Sequence, residues 1–355
     1  MFLLNKFLFL INFVFAILLL ASYAAPNVSP SLFWPIAFLG LSYPIILLVN
    51  LFFVVYWLIQ FKITFLYSGI AIFLGFNHLL GFYKFSGKAF KEESNETYVK
   101  IMSFNCHGFD SEIDFNHFQN YIEEERIDIV CLQEFVNKPI WDKKKPLTNK
   151  LKKNSQLKYY FYNKLGTSGH SQGTVIFSRY PIVYASEIDF AESGNGAVYT
   201  DVKIGKDTLR VFSVHLQSNQ LARSRAINGL DLENKNVAIS KSRHIMSRLK
   251  NGFQLRAWQA QRISDLAENS PFPVLIGGDF NDTHLSYAYN QISNSLSDAF
   301  VESGKGICNT YLGPFPSFRI DHILHDKSFQ SFDFKTSHAF GSDHKSVQAI
   351  VKIKN

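Results

Sequence analysis

Acidic residues are missing from the first 90 positions of this 355-residue chain: no Asp or Glu occurs there, although the whole chain holds 29. Only Lys6, Lys62, Lys84 and Lys88 carry charge in that stretch. Cysteine is scarce as well. Cys106, Cys131 and Cys308 are odd in number, and none stands in a CxxC or a Cys/His pair with zinc spacing. That excludes a disulfide framework and a cysteine-based zinc site as organising devices. After the juxtamembrane segment 87–96 there is no Pro/Gly/Ser-rich linker, internal repeat or low-complexity tract, so 91–355 reads as one domain. Strong basicity is lacking too: of the net charge of +7, +4 belongs to the first 90 residues, which leaves +3 for 91–355. By charge alone that is a weak footprint for nucleic acid.

What the first 90 residues do contain is three apolar stretches, near 7–25, 32–58 and 63–83. Each is long enough to cross a bilayer, which takes about 20 apolar residues. Lys6 followed by Phe7 to Leu20 also has the form of a signal peptide, but two further stretches follow directly, so the expectation is a multi-pass anchor. Pro26, Asn27 and Pro30 suit a turn between the first two spans, and Trp34, Tyr56, Trp57 and Tyr83 stand where interfacial aromatics belong. Lys6 and Lys62 fall on one side and Lys84, Lys88 and Lys91 on the other, a near-tie that assigns no orientation.

Beyond the anchor, the pattern alternates. Strands are expected at 98–105, 127–133, 159–162, 174–178, 182–189, 197–204, 209–214, 273–278, 319–324 and 345–353, with a helix near 114–125. A polar connection, 217–236, leads to a helical region at 237–268, interrupted at Asn251-Gly252. Its basic residues Lys241, Arg243, Arg248, Lys250, Arg256 and Arg262 read first as a solvated face. Val237, Ile245, Leu249, Leu255, Trp258 and Ile263 offer the apolar side.

Five polar clusters end apolar runs: Ser103-Phe104-Asn105, Gln133-Glu134, His215-Leu216-Gln217, Gly278-Asp279-Phe280-Asn281 and Ser342-Asp343-His344. Strand ends are where open α/β sheets keep their chemistry, and carboxylates, amides and imidazoles gathered there point to a metal-dependent hydrolase. Glu134 closes a run that otherwise reads as buried, and a hard carboxylate oxygen suits Mg²⁺. Asn105 offers an amide to complete the metal shell or to orient Glu134. Asp279 and Asn281, two apart, face the same way if extended and suit holding a water in line with phosphorus, with Asn281 also binding the phosphate.

With Gly173-Thr174-Val175-Ile176-Phe177-Ser178-Arg179-Tyr180-Pro181-Ile182 and Arg319-Ile320-Asp321 added, seven motifs in order over 98–353 resemble the endonuclease/exonuclease/phosphatase (DNase I-like) superfamily. The resemblance implies an α/β fold, a four-layer α/β/β/α sandwich, here preceded by three transmembrane helices. It also implies an Mg²⁺-dependent phosphoesterase, with Mn²⁺ as the alternative ion. It assigns water activation to Asp279, transition-state support to Asn281, and acid–base work to His344 with Asp321 holding its imidazole. Asp343 carries over as a metal or second-metal carboxylate. His215 resembles the second imidazole of DNase I-like nucleases, 5-phosphatases and sphingomyelinases, where exonuclease III-like enzymes usually place Tyr.

Gln217 is expected to support the same site, and Arg319, behind the rim 314–318, is a candidate phosphate contact. Ser171-Gln172-Gly173 is expected to approach substrate, and His107, His170 and His322 to be structural or peripheral. The expected partners are a phosphoester (lipid headgroup, inositol phosphate or nucleic acid) and, through 1–90, the bilayer. A tethered domain meets membrane-bound substrate at high effective concentration, which favours a lipid or surface-held phosphodiester over duplex DNA. The alternatives are a membrane nuclease and a catalytically inactive binding module.

Overall fold

The computed structural model describes residues 2–142, 145–164, 172–190, 193–219, 235–313, 318–337 and 340–353. Two compact units emerge, one formed by 1–82, 219–258 and 282–291, the other by 83–218, 259–281 and 292–355.

In the first unit α1 (Phe2–Ser22) is by itself long and apolar enough to cross a membrane. The second expected span is two helices, α2 (Pro30–Leu41) and α3 (Tyr43–Ile59), bent by 51°. Pro44, in the first turn of α3, has no N–H to continue the ladder from α2. The third is likewise broken, into α4 (Phe65–Leu74) and α5 (Phe76–Phe82), at 70°. Gly75 lies at that break because a Cβ there would sit 2.0 Å from the Tyr23 ring. If each bent pair counts as one span, the unit has three.

Its side chains are sorted inside out. Leu48 is 66% exposed and Phe73 76% exposed, while Asn12, Asn50 and Ser68 are fully buried. Ser68 donates to Asn50 Oδ1 (2.7 Å), Asn12 donates to Ser68, and Trp57 Nε1 donates to Asn12 Oδ1 (2.8 Å). Asn50 in turn donates to the carbonyls of Phe15 and Ile46. Such a network ties the helices together through hydrogen bonds made by buried polar side chains. Trp57 is therefore a buried donor and not an interfacial aromatic.

The second unit opens with β1 (Tyr83–Lys84), β2 (Thr97–Asn105), α6 (Glu112–Glu124), β3 (Ile129–Phe135) and α7 (Leu147–Asn154). Then come β4 (Tyr159–Lys164), β5 (Gly173–Ser178), β6 (Ile182–Asp189), β7 (Gly196–Ile204) and β8 (Asp207–His215). After α8 (Lys235–Glu268), of which 235–258 belong to the first unit, follow β9 (Val274–Asp279), α9 (Tyr287–Ser293), of which 287–291 belong to the first unit, and then β10 (Leu296–Asp298), α10 (Ala299–Ser303), β11 (Gly306–Ile307), β12 (Asp321–Asp326), β13 (Gln330–Ser337) and β14 (Ser346–Ile353).

Two six-stranded sheets result, ordered β13-β14-β2-β3-β5-β4 and β10-β12-β9-β8-β7-β6. Their inner faces share one core in which Val99, Ile101, Ile129 and Cys131 meet Val198, Val211, Leu275 and Ile323. Outside the first sheet, Phe115, Phe118 and Ile122 of α6 and Leu147 and Leu151 of α7 cover Phe104, Leu132 and Phe177. The fold is the four-layer α/β/β/α sandwich expected. All three cysteines are free and buried.

The helix expected to break at Asn251-Gly252 does not break: α8 runs unbroken from Lys235 to Glu268. Gly252 is there for space, since a Cβ would come within 2.5 Å of Asn219 Oδ1. The buried face of α8 matches the expected one at Leu249 and Ile263, with Ile245 packed against the cluster that holds Leu249, and differs at Trp258 and Arg256. Leu249, Phe253, Arg256, Ala260, Ile263 and Ala267 are buried, Trp258 is 48% exposed, and the side chains of Val237 and Lys241 lie outside the described residues.

Candidate active site

Strand register aligns the site. In one sheet β8, β9 and β12 are neighbours, with His215 opposite Asp279 and Asp279 opposite Asp321. In the other, β2 and β3 run parallel with Asn105 opposite Gln133. A regular strand would send Gln133 and Glu134 to opposite faces. Gln133 points between the sheets and donates to Ser213 (3.0 Å), but the β3–β5 register slips between Leu132 and Phe135, and Glu134 takes φ +52°. That bulge turns the Glu134 carboxylate back to Asn105, whose Nδ2 lies 3.4 Å away.

Asp279 is the hub. Its Oδ2 accepts from Asn105 Nδ2 (3.0 Å) and Asn281 Nδ2 (3.2 Å) and lies 3.6 Å from His215 Nε2 and 3.8 Å from His344 Nε2. The chain is not extended here, contrary to expectation: Asn281 has φ +52°, and its own N–H donates to Asp279 Oδ1 (2.8 Å). The two side chains still meet, through a tight turn. The Asn281 amide donates to both Leu216 O (3.0 Å) and Asp279, which uses its two N–H donors and leaves none for a phosphate. Asn281 thus holds Asp279 and does not clasp the phosphate.

His344 Nδ1 pairs with Asp321 Oδ2 at 3.0 Å, and Ser342 steadies the turn by donating to Asn105 O and accepting the His344 N–H. Burial lowers the proton affinity of His344, but the charges of Asp321 and Asp279 outweigh it and lift the imidazole to about 10. The two carboxylates thus favour its protonated form. Asp279 is pushed up, first by burial and then by Asp321, against the pull of His344 and His215. His215 is 5% exposed, and its Nε2 makes no hydrogen bond among the described residues although Glu134 Oε1 lies 3.8 Å away.

Asp279, Asp321 and His344 could together face one cation, but there it would meet the His344 cation. Glu134, with 17% of its side chain exposed, is the carboxylate that opens toward solvent. Three carboxylates set against two imidazoles leave a donor set of hard oxygens and net negative charge, which fits a divalent cation. Asn105 turns its NH₂ toward Glu134 and Asp279, while its Oδ1 accepts from the His107 N–H (3.2 Å). Its amide N–H groups orient the two carboxylates.

Not every expected residue joins. Asp343 is exposed, and it reaches His344 and Tyr311 only through its charge. Gln217 is held by neighbouring segments: its N–H donates to Gln259 Oε1 on α8 and its Oε1 accepts from Ser193. Arg319 cannot reach a phosphate. Its guanidinium is buried, with Nη1 2.7 Å from Asp298 Oδ2 and 3.0 Å from His322 Nδ1. His170, Ser171 and the rim 314–317 lie outside the described residues. Sequence reasoning gave no role to Thr310, whose Oγ1 accepts the N–H groups of Ile320 and Asp321, and placed Gln172 near substrate. Gln172 Nε2 instead donates to Glu134 Oε2 at 2.7 Å.

A family profile described as "Endonuclease/Exonuclease/phosphatase family" matches residues 102–344, from the strand before Asn105 to His344. The chain belongs to this family. Members are divalent-metal-dependent hydrolases of phosphoester bonds, and so is this protein's class. A second profile, a domain of unknown function (DUF8431), matches residues 5–82. No curated protein matches.

Among solved structures, D. rerio TDP2 complexed with single-strand DNA product is similar at TM-score 0.53 and 16% identity, over 73% of this chain and 100% of that one. A humanized D. rerio TDP2 carrying 14 mutations gives TM-score 0.52 and 16% identity, over 72% and 99%. The endonuclease/exonuclease/phosphatase from Beutenbergia cavernae gives 0.51 and 16%, over 73% and 72%. These likenesses establish the sandwich fold shared by the family.

Proposed function

We propose that this protein is a membrane-anchored, Mg²⁺-dependent phosphodiesterase, with 1–90 as a multi-pass anchor and 91–355 as the catalytic domain, acting on a lipid or surface-held phosphodiester. The observation that carries the reading is the meeting of His215 and His344 on either side of Asp279 Oδ2, at 3.6 and 3.8 Å, beside Glu134. Glu134, oriented by Asn105 and Gln172, would hold the cation, which when bound neutralises phosphate charge. Asp279, kept in place by the amides of Asn105 and Asn281, takes the proton of the attacking water. His344, held as a cation by Asp321, supplies positive charge to the phosphorane oxygens. His215 Nε2 donates to the departing alkoxide.

The inverted surface of the N-terminal helices supports the anchor, and tethering favours substrate in the same bilayer. A nucleic-acid substrate is the second reading, favoured by the fold's occurrence in a TDP2 bound to single-strand DNA product. The test is full-length protein in detergent with Mg²⁺, Mn²⁺ or EDTA, offered sphingomyelin-like lipids, inositol phosphates, DNA and RNA. Asp279→Asn and His344→Ala should abolish turnover. Wild-type turnover that persists in EDTA would refute the metal reading, and DNA as the only substrate would refute the lipid one.

A further inference from the structure

The side chain of Arg256 is fully buried on α8, and none of the chemistry above uses it. Its Nε donates to Asp282 Oδ2 (2.9 Å), its Nη1 donates to Asn219 Oδ1 (2.9 Å), and the guanidinium lies 5.2 Å from the Phe253 ring centroid. Both partners have telling places in the chain. Asp282 is peptide-bonded to Asn281, and Asn219 stands four residues after His215. Gly252, one turn before Arg256, leaves the room Asn219 occupies: a Cβ there would lie 2.5 Å from Asn219 Oδ1 and 3.0 Å from Arg256 Nη1.

The two loops so held are also joined at the catalytic end. Leu216 N–H donates to Asp279 O (3.0 Å), and Leu216 O accepts from both Asn281 Nδ2 (3.0 Å) and Asn195 Nδ2 (2.8 Å). Asn281 sits in the left-handed region, a conformation that costs a non-glycine residue free energy and persists only where neighbours over-determine it.

We propose that Arg256 is a positioning residue for the reaction: by gripping Asn219 and Asp282 it sets the loops that carry His215, Asp279 and Asn281. The proposal rests on the hydrolase reading above. A planar guanidinium can grip two acceptors in a fixed relation, which a lysine cannot. Misplacing catalytic groups by about 1 Å costs on the order of 100-fold in rate.

The test uses full-length protein in detergent with Mg²⁺ and bis(4-nitrophenyl) phosphate as probe. Arg256→Met or Asp282→Leu alone breaks a buried ion pair and should lower both Tm and kcat. The double variant R256M/D282L replaces the ion pair with an apolar one, an exchange that is often neutral or stabilising. Its Tm should return to the wild-type value while kcat stays about 100-fold down with KM little changed. Amide exchange should also quicken in peptides covering 216–219 and 279–283. Recovery of kcat along with Tm would overturn the proposal, since the pair would then serve packing alone.

If the double variant does not regain its Tm, Asn219→Ala and Arg256→Lys, which remove one arm of the grip, decide the matter: kcat unchanged in both overturns it, and a selective fall in kcat supports it. Absence of wild-type turnover would sink the hydrolase reading, and the exchange measurement would still report on the grip.

Discussion

Replacing Arg319 by Ala separates two roles that the chain position alone confuses. Beside Ile320-Asp321, an arginine looks like a phosphate ligand, and its removal would then raise KM and leave stability alone. The structure demands the opposite. Arg319 and Asp298 keep only 3% and 4% of their side chains exposed, with Nη1 and Oδ2 2.7 Å apart. The guanidinium also lies 4.7 Å from the Phe300 ring centroid, and Asp298 caps α10 by accepting from the N–H groups of Phe300 and Val301. Breaking one side of a buried pair costs about 3–5 kcal/mol. The cap bonds retained by Asp298 place the loss toward the lower end. For a domain of this size each kcal/mol moves Tm by about 2–4 °C, so a fall of about 10 °C is expected. Thermal unfolding of the full chain measures it, alongside kcat and KM at a temperature where the variant stays folded. An unchanged Tm with KM raised tenfold would refute the assignment and restore Arg319 to the phosphate.

Three further outcomes follow from the same structure. His344 is raised to about 10 when folded, so its contribution to stability is complete below its unfolded value near 6.5 and is lost as pH rises through about 10. EDTA-treated protein should therefore lose stability between pH 7 and 10, a slope that His344→Gln flattens; an equal slope in the variant would contradict the pairing with Asp321. Glu134→Gln should weaken Mg²⁺ dependence, read as at least a tenfold rise in the Mg²⁺ concentration for half-maximal turnover, and an unaltered value would exclude Glu134 as a ligand. Asn50→Leu takes the acceptor from the Ser68 hydroxyl and the side-chain donor from the Phe15 carbonyl and should cost about 1–2 kcal/mol by thermal unfolding in detergent, whereas Phe52→Leu, at a side chain 59% exposed, should cost little.

Most of the catalytic cluster could be read in the chain because its members follow a β-branched or apolar run, and a run that stops at a polar residue marks a sheet edge whatever its partners are. Asn105, Glu134, His215 and Asp279 were visible in this way, and His344, which stands just ahead of β14, through its Ser342-Asp343-His344 motif. Partners set by long-range packing were not. Asp298 lies 21 residues before Arg319, and nothing local to either residue announces a buried pair. Gly252 resembles a helix breaker because glycine usually costs a helix about 1 kcal/mol, but here it admits Asn219. Asp279 and Asn281 were expected to align through an extended backbone, and they converge through a left-handed turn instead. The apolar spans were legible from composition, whereas their bends depend on Pro44 and on the Tyr23 ring lying against Gly75.

Glu134 and Asn281 both carry left-handed backbone, at φ +52° each, in places where glycine would rest without strain. A metal-facing carboxylate and the amide that holds Asp279 occupy them instead. Glu134 lies in β3 of one sheet and Asn281 just after β9 of the other, so each sheet brings one of these side chains to the site on left-handed backbone. That weighs against an inert binding module more directly than the presence of any single catalytic residue.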